Sequence, residues 1–267
     1  MPGTADRKRA AAIVRRISST YTEALSSGYH GNPEIPNQKI ASAGHDEYIA
    51  ALINRGVAVT ILPALDQFPD ACFVEDCAII VDDRALITNL GHPSRRGEED
   101  VVMRTLIAEG FDTVQMRKGA TLDGGDVLFY DDKFLVGRSR RTNDAGIAEL
   151  TTIVESSGRK VVVIDIPPST LHLVTVCTSP KPGLLIAPEG FLSASQLESL
   201  GEVLWIPKDE AYGANCLAFE NGEIIVAAGY PTVVEKLEGV GLSPTTIDMA
   251  SFRAADGSLT CLSLFYR

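Results

Sequence analysis

The 267-residue sequence lacks the cysteine patterns of disulfide-rich and zinc-binding proteins. It contains five cysteines, an odd number, and no C-x-x-C pair. This argues against a disulfide framework and against a structural zinc site. We therefore expect reduced thiols. Since buried cysteines usually pack as small apolar side chains, core packing is the default role of each one.

Positive charge is also scarce. The chain has 24 lysines and arginines against 35 aspartates and glutamates, which gives a formal net charge of -11. Such a protein repels the phosphates of nucleic acids and the surface of anionic membranes. We expect neither nucleic acid nor a membrane as a partner, whereas a small cationic ligand is compatible with this charge.

Long apolar runs are absent as well. The first nineteen residues, MPGTADRKRAAAIVRRISS, are basic but lack the apolar run and small-residue cleavage site of a secretory signal. Later apolar runs, such as 77–81 and 160–164, fall short of the roughly 20 residues that a membrane span needs. We expect a cytoplasmic protein with the basic N-terminal segment as a surface helix; a transit peptide is the alternative.

A repeated succession of elements runs through the chain: an apolar strand, a polar turn, a second strand, a helix and a third strand. The copies occupy 77–116, 126–166, 183–207 and 216–249. Their turns carry Asp-Asp or Asn-Gly, and several of their helices end at glycine. The pattern predicts an α/β protein built from similar units.

The two ends of the chain together predict a fifth copy. A C-terminal strand at 259–267 would join an N-terminal helix at 45–56 and a strand at 57–63. Repeats of this length favour a closed circular array, because each unit must bury its apolar face against neighbours. An open α/β sheet is the alternative. Without a low-complexity linker, we expect residues 1–267 to form a single domain.

Several polar residues stand in apolar surroundings. Glu75 and Asp76 precede the strand CAIIV, where unpaired carboxylates would be costly, so either a protein arginine or a bound guanidinium should face them. His172 and Cys261 also lie among apolar residues. Each alone is more often structural than catalytic, but a nucleophilic thiolate needs a nearby base or positive charge.

Six segments, in order along the chain, carry a family resemblance: FVEDCAIIV, GHPSRRGEE, LDGGDVLF, GRSRRTN, LHL and LTCLS. From about residue 62 to the C-terminus they resemble the dimethylarginine dimethylaminohydrolases, members of the pentein or guanidine-modifying superfamily. The resemblance implies a five-bladed α/β propeller of ββαβ units around a central channel. That fold agrees with the repeats found independently.

The resemblance also implies roles for individual residues. Cys261 would be the nucleophile, His172 the acid/base and Asp123 the group that orients His172, whereas Asp126 would be structural. The implied substrate-binding residues are Glu75 and Asp76 for the guanidinium, Asp70 beside the α-amine, Arg95 and Arg141 for the α-carboxylate, and Leu25 and Ala255, whose backbone carbonyls would lie near the α-amine. Paired carboxylates match a planar guanidinium, and an arginine fork matches a carboxylate.

The implied reaction is hydrolysis of an Nω-methylated arginine, asymmetric dimethylarginine or monomethylarginine, to citrulline and dimethylamine or methylamine through a covalent thiouronium intermediate on Cys261. It requires no metal and no organic cofactor. The partner is a small molecule, an arginine derivative, and the resemblance makes a homodimer plausible.

Substrate choice depends on the residue two places after the histidine. Arginine deiminases typically carry an aspartate there, whereas this chain has Val174, which favours a methylated nitrogen without N–H groups. The segment 26–37, where the family has its lid, departs from the family pattern. A deiminase, another N-substituted guanidine hydrolase, an amidinotransferase and a non-catalytic binding protein for arginine derivatives are the alternatives.

Overall fold

The computed structural model describes residues 7–29 and 35–266, which form five small three-stranded sheets. The strands in this part of the chain are β1 Ala11–Arg15, β2 Ala58–Leu62, β3 Ala78–Val81, β4 Arg84–Ile87, β5 Asp112–Gln115, β6 Val127–Tyr130, β7 Lys133–Arg138, β8 Lys160–Asp165, β9 Thr178–Lys181, β10 Leu184–Pro188, β11 Glu202–Ile206, β12 Leu217–Ala218, β13 Glu223–Ala227, β14 Ser243–Ile247 and β15 Leu264–Phe265.

Helices connect the strands. Those in the described residues are α1 Gln38–Ile53, α2 Glu99–Ala108, α3 Asp144–Ser156, α4 Leu173–Val176, α5 Ala194–Glu198, α6 Pro231–Gly239 and α7 Ala250–Arg253. Asn37, Asn143 and Ser193 cap α1, α3 and α5 by accepting a hydrogen bond from a backbone N–H of the first turn. No helix among residues 7–29 and 35–266 combines the length and apolar character that a membrane crossing needs.

All five sheets share one topology. The first strand pairs antiparallel with the second, the second pairs parallel with the third, and a helix connects the second to the third. The predicted Asp-Asp turns form the β3–β4 and β6–β7 hairpins, with Asp82 and Asp131 at φ 56° and 55°. Five ββαβ units therefore make up the α/β propeller that the family resemblance implied, in agreement with the closed array that the repeats favoured.

The fifth sheet joins the two ends of the chain. Strand β15 pairs antiparallel with β1, opposing Leu264 to Ile13, and β1 pairs parallel with β2. This confirms that both termini build one unit. The N-terminal surface helix was wrong for 11–15, since all five residues are buried in a strand. A segment buried on both faces shows no periodicity that separates strand from helix; residues 1–6 lie outside the described part.

The C-terminal strand is shorter than predicted. Residues Thr260–Leu262 form a 3₁₀ turn, and only Leu264–Phe265 pair as a strand. Cys261 therefore lies on a turn that leads into a strand. The apolar cores fill the spaces between neighbouring sheets, as where Leu86 of one sheet packs in the same cluster as Phe134 of the next.

Candidate active site

A turn or loop precedes the first strand of every sheet, and each contributes a polar residue to the centre of the molecule. The contributing residues are Glu75 and Asp76 before β3, Asp123 before β6, His172 before β9, Asn215 before β12 and Cys261 before β15. Because the units repeat, residues far apart in sequence come from equivalent positions of the five units. The pseudo-fivefold fold thus explains how one cluster is assembled.

One small cavity lies within this ring. Eight of the ten residues that sequence analysis proposed for the site line it: Leu25, Asp70, Asp76, Arg95, Arg141, His172, Ala255 and Cys261. The other two lie against this group, Asp123 bonded to His172 and Glu75 bonded to the neighbour of Cys261. The fold therefore brings all ten candidates to one place.

His172 and Asp123 form a buried pair. The His172 Nε2 atom lies 3.0 Å from Asp123 Oδ2, and Asp123 Oδ1 accepts a hydrogen bond of 2.7 Å from the Gly91 N–H. Burial opposes a charge on His172, but Asp76, Asp123 and Asp126 outweigh it and raise the pKa of His172 to about 9. At neutral pH His172 is therefore an imidazolium, able to donate a proton.

The two glycines of the segment LDGGD allow this close packing. A Cβ atom on Gly125 would lie 2.6 Å from His172 Nδ1, and one on Gly124 would lie 2.0 Å from the Glu75 carbonyl oxygen. Neither contact is sterically possible without movement of the site. Two glycines in a row thus let the Asp123 turn lie directly against His172 and Glu75.

Cys261 is buried and has a weak partner. Its Sγ atom lies 3.4 Å from the Ser258 Oγ atom. Burial, followed by the negative charges of Glu75 and Asp76, raises the pKa of the Cys261 thiol well above its usual range. These two effects favour the thiol, and a bound cation would be needed to favour the thiolate.

The two carboxylates before β3 have different partners. Asp76 Oδ2 accepts from Arg95 at 2.6 Å and Asp76 Oδ1 accepts from the Gly125 N–H at 2.8 Å. Glu75 Oε2 accepts from the Thr260 hydroxyl at 2.8 Å. Burial and the charge of Asp76 raise the pKa of Glu75 to about 8. A cation between the two carboxylates would restore the ionised form of Glu75.

The Arg95 and Arg141 side chains differ in how many hydrogen bonds they make to the protein. Arg95 donates to both carboxylate oxygens of Glu98, to Asp76 and to the Phe73 carbonyl. Arg141 makes a long contact of 3.4 Å with Asp123, and its side chain is more exposed, 13% against 5%. Arg141 thus has more of its guanidinium free for a ligand.

The outer end of the cavity carries the remaining candidates. Asp70 accepts a 3.0 Å hydrogen bond from the Leu25 N–H, and burial raises its pKa. Asp256, which sequence analysis did not single out, accepts from the Tyr29 N–H at 3.0 Å. Asp256 thus holds the loop after Leu25 against the cavity. Its position beside Ala255 in the segment AADG was the only sequence signal for it.

Asn215 is the second residue that sequence analysis missed. Its side-chain amide donates to the Val174 carbonyl at 2.9 Å and to the Thr260 hydroxyl at 3.0 Å, and its Oδ1 accepts from the Thr260 N–H at 3.0 Å. It therefore joins the segment that follows His172 to the turn that carries Cys261. The available signal was its place before the fourth unit's first strand, equivalent to that of His172.

Asp126 lies behind the site, as the resemblance implied. It accepts hydrogen bonds from the hydroxyls of Ser139 and Thr142, and from the Leu173 N–H at 3.0 Å. Burial raises its pKa to about 6, although the imidazolium of His172 opposes the shift. Asp126 fixes the backbone next to His172.

Asp76, Asp123 and His172 are the group in the described residues that could hold a metal, since one ligand atom of each lies within 4.8 Å of the others. Their atoms are engaged, however. Asp76 is paired with Arg95, and Asp123 with His172. This donor set fits a network of ion pairs and hydrogen bonds, in which a cation would have to displace Arg95.

Comparison with known proteins agrees with this site. The family described as N,N dimethylarginine dimethylhydrolase, eukaryotic, matches residues 20–178. The N(G),N(G)-dimethylarginine dimethylaminohydrolase of Pseudomonas aeruginosa is 32% identical over 253 residues, covering 94% of this chain and 97% of the relative. The enzyme of the same name from Streptomyces coelicolor is also 32% identical, with 96% of each chain covered.

The solved structure of the Pseudomonas aeruginosa enzyme superposes with a TM-score of 0.89 at 30% identity, covering 96% of this chain and 98% of that one. Sequence and fold therefore agree over nearly the whole length of both proteins. This chain belongs to the dimethylarginine dimethylaminohydrolase family.

Proposed function

We propose that this protein hydrolyses Nω-methylated arginine to citrulline and methylamine or dimethylamine, with Cys261 as nucleophile. One observation carries the proposal: the Cys261 thiol, His172 and Asp76 line a single cavity, with Asp123 paired to His172 and Glu75 bonded to Thr260, the neighbour of Cys261. The relative from Pseudomonas aeruginosa was solved with citrulline bound. A dimethylarginine dimethylaminohydrolase was also solved as an adduct with S-methyl-L-thiocitrulline.

The polarity of the cavity orients the substrate. Its guanidinium lies at the inner end between Glu75 and Asp76, where burial strengthens charge pairing. Its α-carboxylate meets Arg141 at the more exposed end, while Arg95 mainly holds Asp76 in place. Asp70 lies near the α-amine, together with the backbone of Leu25 and Ala255.

The bound cation starts the reaction. Its positive charge offsets Glu75 and Asp76 and lowers the pKa of the Cys261 thiol, which loses its proton to solvent and leaves a thiolate beside the guanidinium carbon. The sulfur attacks that carbon, and His172, as imidazolium, protonates the departing amine. Neutral His172 then takes a proton from water, which attacks the thiouronium carbon. Loss of the sulfur releases citrulline and restores the thiol.

The residue two places after His172 supports a methylated substrate. Val174 is buried and lines the same cavity wall as Glu75, the proposed partner of the guanidinium, and the Val174 carbonyl accepts from Asn215. A doubly methylated nitrogen has no N–H, so a carboxylate in this place would be left unpaired against methyl groups. An apolar side chain avoids that cost. The identity of this residue therefore favours methylarginines over free arginine.

Product analysis tests the proposal. The purified protein is incubated with asymmetric dimethylarginine, monomethylarginine or free arginine, and products are identified by mass spectrometry, with Cys261→Ser as control. We expect citrulline and dimethylamine or methylamine from the wild type only. Turnover of free arginine alone would make the protein a deiminase. Transfer of the amidino group to an added amine would make it an amidinotransferase.

We further propose that the protein works in the cytoplasm as a homodimer and that its chain is a single domain. All five cysteines are free and buried, which suits a reducing compartment. The exposed apolar side chains of Ile53 on α1 and Ile61 on β2 suit a contact with a second copy. Light scattering of the purified protein tests the dimer, and a mass of 28.6 kDa would contradict it.

A further inference from the structure

A second cavity lies behind the candidate active site, on the side of the strands. First strands from all five sheets form its walls, through Ala78, Val127, Thr178, Leu217 and Leu264. It meets the active-site turns at Glu75, Gly124, Val174 and Thr260. Residues next to Asp76, Asp123 and Cys261 thus separate the two compartments. In the described part of the chain, this second cavity and the candidate active-site cavity therefore lie on either side of one partition.

Arg9 dominates the polar chemistry of this cavity. Its Nε donates to the Ala218 carbonyl at 2.8 Å, and its guanidinium carbon lies 4.3 Å from the centre of the Phe265 ring. Within residues 7–29 and 35–266 its terminal amino groups have no hydrogen-bond acceptor and no carboxylate within 4 Å. Arg9 also adopts φ 43°, which is uncommon for a residue other than glycine.

Nothing among the described wall residues neutralises Arg9. Glu75 is the nearby acid, but its carboxylate accepts from Thr260, and its raised pKa of about 8 leaves it mostly protonated at neutral pH. The hydroxyl of Thr178 donates to the Ala214 carbonyl. Arg7, whose guanidinium donates to the Ser179 hydroxyl, also lines the cavity. The positive charge of Arg9 would therefore attract an anion to this cavity.

The remaining wall is largely apolar. Leu128, Phe129 and Phe134 line it together with residues of the first strands. We infer that this cavity binds a small carboxylate, with its two oxygens paired to the guanidinium of Arg9 and its short hydrocarbon part against the aromatic wall. A phosphate would bring more charge and more hydrogen-bond acceptors than this wall can satisfy.

A carboxylate bound in this second cavity would affect the active site through Glu75, a consequence that rests on the proposed function. The positive charge of Arg9 favours the ionised form of Glu75, which lines the same cavity. A carboxylate bound to Arg9 cancels that charge, so Glu75 ionises less readily and holds the substrate guanidinium less tightly. We expect the ligand to raise KM several-fold with little change in kcat.

Isothermal titration calorimetry tests the site directly, with benzoate and inorganic phosphate as probes. We expect benzoate to bind the wild type more tightly than phosphate does, and Arg9→Met to weaken it at least tenfold. Arg104→Met removes an exposed positive charge on α2 and should leave binding unchanged. Arg141→Met removes the carboxylate receptor proposed for the active site and should also leave binding unchanged.

Absence of benzoate binding to the wild type would overturn the inference, as would tighter binding of phosphate or loss of binding in Arg141→Met. If Arg9→Met does not fold, Arg9→Lys keeps the charge without the planar fork and should bind several-fold more weakly. Unchanged affinity in that variant would contradict the assignment. Since binding is measured without turnover, the result stands apart from the product analysis that tests the proposed function.

Discussion

The state of Cys261 before substrate binds follows from its neighbours. The thiol is buried beside Glu75 and Asp76, and both burial and these charges disfavour a thiolate. A nucleophile that stays protonated until a cation arrives is protected from unrelated electrophiles. In the proposed reaction, the carboxylates that would bind the guanidinium therefore also control the reactivity of the sulfur.

We predict that charge on an alkylating reagent decides its reaction with Cys261. Chloroacetamidine, a cation, should alkylate Cys261 at least tenfold faster near pH 7 than chloroacetamide, which has a similar shape but no charge. The reason is that only the cation offsets Glu75 and Asp76 and lowers the pKa of the thiol. Mass spectrometry of the Cys261 peptide over time measures both rates.

The pH dependence gives an independent check. With chloroacetamide the rate should rise about tenfold per pH unit through the neutral and mildly alkaline range, because the fraction of thiolate grows with pH below a raised pKa. The peptides that contain the other four cysteines, measured in the same digests, provide the internal control for the alkylation rate of Cys261. Rapid reaction with chloroacetamide that levels off below pH 7 would show that the empty site already contains a thiolate.

At the scale of elements, the repeated units could be predicted from sequence, but the contacts between them could not. Asp-Asp and Asn-Gly in the hairpin turns and glycine at the ends of helices made the units recognisable, because each turn type needs those residues. Strand β1 was missed because Ala11–Arg15 is buried on both faces. Asn215 was missed because its three hydrogen bonds reach Val174 and Thr260, contacts between distant units that local pattern cannot show.

Asn215 connects two of these segments, and we predict that Asn215→Ala impairs catalysis more than stability. Loss of its bonds leaves the Thr260 N–H without its acceptor and the Thr260 hydroxyl without its donor, so the Cys261 turn and Glu75, to which that hydroxyl donates, lose their alignment. We expect kcat/KM for a methylarginine to fall at least tenfold, while the free energy of unfolding falls by only about 1–3 kcal/mol. Steady-state kinetics and urea unfolding measure the two effects.

Two variants make this prediction sharper. Asn215→Asp keeps the acceptor for the Thr260 N–H but loses the donor to the Val174 carbonyl, so its activity should lie between those of the wild type and the alanine variant. Asn221→Ala changes an exposed asparagine in the β12–β13 turn and should leave kcat unchanged. Full activity of Asn215→Ala would show that Thr260 holds its place without the amide.

At the scale of the whole molecule, the two ends of the chain close the ring. Strands β1 and β15 pair with each other, and Ile13 and Leu264 share an apolar cluster with residues of the β3–β4 sheet. The fifth sheet therefore contacts its neighbours only when both termini are in place. A closed ring in which each unit buries its apolar face against the next should unfold as one cooperative body.

Ile13→Ala tests that cooperativity, because the change and its reporter lie in different sheets. Ile13 is fully buried in β1, and its truncation should cost about 2–5 kcal/mol of unfolding free energy.

The single tryptophan, Trp205 in β11, is remote in the ring. If the chain is one domain, the unfolding midpoints measured by Trp205 fluorescence and by far-ultraviolet circular dichroism should shift together to lower urea concentration in Ile13→Ala. Ile107→Ala, an exposed position on α2, should move neither by more than about 0.5 kcal/mol. A Trp205 transition that stays at the wild-type midpoint while the dichroism shifts would mean that the sheets unfold separately, and the ring would then be held by neighbouring contacts alone.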